Sequence, residues 1–69
     1  MNMQLRAARE ASGKTQAQVA KEAGISEAAY QRYEYDKVEP RVRTAIRIAA
    51  VLGSAVETLW GPGAAGPEE

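Results

Sequence analysis

Residues 15–34 read TQAQVAKEAGISEAAYQRYE, and the spacing inside this stretch decides how the rest of the chain is understood. Thr15 and Gln18 stand three apart at its head. A threonine there accepts from the amide three residues on while the glutamine reaches back, which starts a helix. Val19, Ala20 and Ala23 follow at helical spacing and mark an inward face. Gly24 ends the helix where a positive φ is expected, a conformation cheap for glycine. Ile25 is then expected as a buried plug and Ser26 as the cap of a second helix reaching Glu34 or Tyr35. Tyr30 and Tyr33, three apart, are expected to share its inward face.

Outward from this centre the chain continues in short helices with no sign of a strand. A helix is predicted over residues 3–11, with Asn2 as its cap and Ser12-Gly13 as its end. After the linker YDKVEP, Pro40 suits the first position of a helix over residues 41–52. Val42, Ala45, Ile48, Ala49 and Leu52 give that helix its apolar side, and Gly53 closes it. A last short helix is predicted over 56–60, with its cap shifted to Ser54. The fold class expected is therefore all-α, a compact five-helix domain over 1–60. The Gly/Pro-rich acidic segment 61–69, GPGAAGPEE, is expected to be a disordered tail.

Composition removes several functions. The 69 residues hold neither cysteine nor histidine, so disulfides, thiolate metal sites and the commonest general base and metal ligand are absent. No metal or cofactor is expected. No apolar run approaches the ~20 residues that span a bilayer, and no signal-peptide core is present, so a cytoplasmic protein is expected. No Ser, Lys or Glu spacing suggests a nucleophile beside a base, and an enzyme is not expected. The formal charge is zero, from nine basic and nine acidic residues. All nine bases lie between Arg6 and Arg47, whereas three acids and no base follow Ile48. A mildly basic body with an acidic tail is compatible with a nucleic-acid partner without requiring one.

The stretch 15–34 resembles the helix-turn-helix of the phage repressor and Cro family, the xenobiotic-response-element type. The resemblance rests on Thr15-Gln16, Val19-Ala20, Gly24, Ile25, Ser26, Tyr30, Tyr33 and Glu34. EPRVRTAIRIAAVLG (39–53) is similar to that family's fourth helix and VETLW (56–60) to its fifth. It thus covers about residues 3–60 and implies a lambda-repressor-like domain in which the second and third helices form the motif. Two departures stand out. YDK (35–37) replaces the usual glycine-containing turn, and no second domain is expected, so that a dimer surface is expected on the small domain itself.

By this resemblance the third helix, about 27–34, enters the major groove, and its base-reading positions fall on Glu27, Ala28 and Arg32, with Ala29 close enough for a thymine methyl. Arg32 can pair bidentately with guanine; its bland reading is a phosphate contact or a solvated charge. Glu27 can accept from an amino group of cytosine or adenine, or serve only as a favourable charge in the first helical turn. Gln16 and Ser26 stand at helix N-termini, where phosphates are bound, and capping alone is their bland reading. Lys37, Arg41 and Arg43 are the expected backbone contacts, against a merely solvated face. Arg9 and Glu34 are expected as an interhelical ion pair. A dimer is expected to use Ile46, Val56, Leu59 and Trp60, although Trp60 also suits a cap over the core.

The function implied is sequence-specific binding of double-stranded DNA by a homodimeric transcriptional regulator of the repressor kind, nucleoid-associated in a prokaryote or phage-infected cell. The competing reading is an antitoxin or other protein-interaction module of the same fold, whose main partner is a protein.

Overall fold

The computed structural model describes residues 1–61. Most of the expected tail therefore lies outside the described residues. The chain folds into α1 (Met3–Ser12), α2 (Gln16–Ala23), α3 (Glu27–Glu34), α4 (Val42–Leu52) and α5 (Val56–Trp60). No strand occurs among the described residues. α2 packs against both α3 and α4, while α1 lies against α5. Between them sits one small core of Leu5, Val19, Ala20, Ala23, Tyr30, Ile48, Ala49 and Leu59, none more than 4% exposed. Three of these are alanines, and Tyr30 is the largest fully buried side chain. Tyr33 and Ile25 are only partly buried and pack on the rim of this core.

The helix ends follow local chemistry. Thr15 accepts from the Gln18 amide at 3.1 Å and Gln18 returns the bond to the Thr15 amide at 2.8 Å. This reciprocal pair satisfies two donors that a helix start would otherwise leave open. Gly24 takes φ +76, and the chain turns there through bonds from its own amide to Lys21 and from Ile25 to Ala20. Ser26 then accepts from Ala29 N at 3.1 Å and starts α3. The turn between α2 and α3 is thus bounded by main-chain bonds at the α2 end and by the Ser26 side-chain cap at the α3 end.

Asn2 joins three elements. Its side-chain oxygen caps α1 at Leu5 N, its side-chain amide donates to Leu59 O at 2.9 Å, and its backbone amide donates to Glu34 O at 2.8 Å. The last carbonyls of α3 and α5 are thereby satisfied by the start of α1.

Two helix starts differ from the sequence expectation. Pro40 precedes α4 instead of opening it: Arg41 is the N-cap, and the Pro40 ring is fully buried. The ring is spent on packing, and Glu39 and Arg41 stay outside the helix. Ser54 does not cap α5. Its amide closes α4 by donating to Ala49 O at 2.8 Å, and Ala55 takes the N-cap position with no side-chain bond. A residue engaged in the left-handed exit of one helix is one step too early to start the next.

Candidate nucleic-acid interface

α3 is divided sharply by exposure. Tyr30 and Glu34 are buried, Ala29, Gln31 and Tyr33 are partly buried, and Glu27, Ala28 and Arg32 are exposed. Tyr30 and Glu34 lie one turn apart on the inner side; Ala28 and Arg32 lie one turn apart on the outer side. The three side chains expected to meet bases therefore stand together on the open ridge of the helix. Ala29 lies at its edge.

What holds the ridge in place is a buried acid. Glu34 is 1% exposed. Its Oε2 accepts from Arg9 Nε at 2.8 Å and from the Tyr30 hydroxyl at 2.9 Å. Its Oε1 accepts from Gln16 Nε2 at 2.6 Å and from Arg9 Nη2 at 3.3 Å. Four donors thus occupy the lone pairs of one carboxylate, as burying a charge demands. Burial alone pushes the Glu34 carboxyl up, but the bonds from Arg9, Gln16 and Tyr30 outweigh it and hold the carboxyl below its ordinary range. The bond to Glu34 raises Arg9, and burial followed by the Glu34 bond pushes the Tyr30 phenol well above its ordinary value. Arg9 also donates to Lys14 O at 3.1 Å, which ties the link between α1 and α2 to the same point.

Arg9, partly exposed, and the buried Glu34 thus meet as an ion pair across α1 and α3. Sequence reasoning missed the two further partners. Tyr30 precedes Glu34 by four residues, a helical spacing that carries a signal for contact. Gln16 lies eighteen residues away, and only the crossing of α2 and α3 brings it in. Gln16 was expected on a phosphate; its side-chain amide faces Glu34, and its carbonyl oxygen accepts from Gln31 Nε2 at 3.3 Å. Gln31 Nε2 also donates to Glu27 at 3.4 Å.

Further basic residues follow α3 in the chain. Lys37, Arg41 and Arg43 are exposed, and Lys37 N donates to Arg32 O at 2.9 Å at the exit of α3. Arg41 is also the N-cap of α4. Arg47 runs back along α4 toward the turn, with its Nη1 3.7 Å from where a side chain at Gly24 would begin.

Of the residues expected at a dimer surface, Leu59 is taken up by the core at 2% exposure and offers nothing to a second copy. Ile46 is 54% exposed, and Val56 and Trp60 are partly buried against the core. Among the described residues, no helix is long and apolar enough to cross a membrane.

A helix-turn-helix family model matches residues 5–59, from the first core leucine to the last. No curated protein matches the chain. Among solved structures, it is similar to the P22 c2 repressor protein in complex with synthetic operator 9T, with 25% identity and a TM-score of 0.76. The match covers 84% of this chain and 89% of that one. With two short helices joined at Gly24, the outer ridge of the second exposed and its inner side anchored on Arg9, this chain belongs to the phage repressor and Cro-like helix-turn-helix family.

Proposed function

We propose that the protein is a sequence-specific DNA-binding transcriptional regulator, a repressor in kind, that places α3 in the major groove. The observation that carries this reading is the division of α3. One side is fixed by Tyr30 and Glu34 in the core, and the other presents Glu27, Ala28 and Arg32 to solvent. A ridge of this size fits the major groove, where each base pair shows its own pattern of donors and acceptors. Arg32 pairs with guanine, Glu27 accepts from an exocyclic amino group, and Ala28 with Ala29 suits a thymine methyl. Ser26 at the start of α3 and Lys37, Arg41 and Arg43 beside it contact phosphates and hold the register. Gln16 reaches a phosphate only with the amide hydrogen that does not face Glu34. The similarity to a repressor solved with its synthetic operator supports the same assignment.

A homodimer uses exposed Ile46 with Val56 and Trp60, and its two α3 ridges meet half-sites about 10–10.5 base pairs apart, or a multiple of that. Selection of bound duplexes from a random pool at physiological salt tests both parts. An enriched motif with two inverted half-sites at that spacing is the expected result. A pool that stays random contradicts DNA reading and favours a protein as the main partner.

A further inference from the structure

One of the polar side chains that touch Glu34, Gln16, carries the contacts outward to the surface of α3. Glu34, as a carboxylate, can only accept, so the amide of Gln16 must turn its nitrogen inward; the bond measures 2.6 Å. The Gln16 oxygen is then left facing α3, where it accepts from Gln31 Nε2 at 3.3 Å. The same Gln31 nitrogen lies 3.4 Å from Glu27 Oε2, one turn back along the helix. Each of its two hydrogens thus has an acceptor, and the orientation of the Gln31 amide follows. The chain Glu34–Gln16–Gln31–Glu27 runs from a residue 1% exposed to one on the open ridge of α3.

We infer that Gln31 is a positioning residue for sequence recognition: it holds the Glu27 carboxylate toward α2, on an anchor that begins at the buried Glu34, and so sets which base Glu27 can reach. An exposed glutamate otherwise samples many rotamers, and a reader that must be ordered at each encounter discriminates less well. Here the ordering is done before DNA arrives. Gln31 donates to no base in this scheme, because both of its donor hydrogens are spent within the protein. The inference rests on the proposed role of α3 and adds to it a residue off the reading ridge.

The test uses the full chain and the duplex that it selects from a random pool. Base preference at every position, and affinity for a random duplex, are measured for the wild type, Glu27→Ala, Gln31→Leu, Gln31→Glu and the double variant Glu27→Ala/Gln31→Leu. Glu27→Ala is expected to erase the preference at one base pair. Gln31→Leu is expected to lower the preference at that same pair by about three- to tenfold, the worth of one ordinary hydrogen bond. Other positions and random-duplex affinity should stay unchanged. In the Glu27→Ala background Gln31→Leu should have no further effect at that pair. Gln31→Glu, which sets an acceptor against Glu27, should do more harm there than Gln31→Leu. An equal loss at all positions, or a Gln31→Leu effect that survives in the Glu27→Ala background, overturns the inference while leaving DNA reading intact. Unchanged preference in Glu27→Ala does the same. A wild type that selects no sequence removes both, and so separates the two failures.

Discussion

Glu34 is the residue on which the position of α3 depends, and its chemistry makes that dependence measurable. Its folded carboxyl lies below the ordinary 4.5 because donors from Arg9, Gln16 and Tyr30 overcome the cost of burial. In the window between the two values the unfolded chain binds more protons than the folded one, so stability rises with pH there. The contribution of ionised Glu34 is complete above about 4.5 and is lost as pH falls through the folded value. Glu34→Gln should therefore lower stability at neutral pH and flatten the acid limb, as read by urea melts from neutral to strongly acid pH. Breaking a buried pair costs about 3–5 kcal/mol. A chain of this size has only about 3–10 kcal/mol in total, so the variant should stand near the edge of folding. Arg32 belongs to the other class of residue, exposed and outside the Glu34 network. Arg32→Ala should leave the melt unchanged and relax preference at one base pair by about 1–3 kcal/mol, as measured on single-substitution duplexes. Equal losses on specific and random DNA would place Arg32 on the phosphate backbone instead.

At the scale of elements, the turns show how far a sequence can be read. The limits of α2 follow from Thr15, Gln18 and Gly24, because each acts within four residues of itself. The exit of α3 was less legible, since YDK offers no glycine. Asp36 adopts φ +61 there, the one non-glycine residue with a positive φ among the described residues. Aspartate tolerates this conformation better than most residues, which is how the turn is made without glycine. Asp36→Gly should be tolerated to within about 1 kcal/mol, whereas Asp36→Val should cost about 1–2 kcal/mol or more in thermal unfolding. The starts of α4 and α5 were misjudged for a related reason. Pro40 and Ser54 have the right side chains for a helix start, but the packing of the Pro40 ring and the exit of α4 had already claimed them. Leu59 stood in the sequence as a candidate for a surface, beside a Trp60 that also suited a cap over the core. How deeply each is buried depends on how α5 lies on α1, and no local pattern in five residues contains that. The outer side of α3 was legible because Tyr30 sets the opposite side by helical spacing, and the resemblance to the family singled out Glu27, Ala28 and Arg32 on it. The Gln16–Gln31–Glu27 connection was not, because it needs the crossing of two helices in three dimensions.

For the whole molecule, formal neutrality conceals a division of labour. The nine bases all precede Ile48, and three of the nine acids follow it. In the proposed complex α3 supplies the residues that choose a sequence, and Lys37, Arg41 and Arg43 supply the attraction that every sequence shares. Such attraction acts by releasing counterions, so it must weaken as salt is added. Arg41→Ala and Arg43→Ala should each lower affinity for all duplexes alike and make the salt dependence shallower by about one phosphate contact. The decisive measurement is a titration of the selected duplex and a scrambled duplex between about 50 and 200 mM salt. Affinity that falls steeply with salt on both, with the selected duplex bound at least about a thousandfold more tightly at physiological salt, is the expected result. A flat salt dependence, or equal affinity for the two duplexes, would contradict sequence-specific DNA recognition by α3.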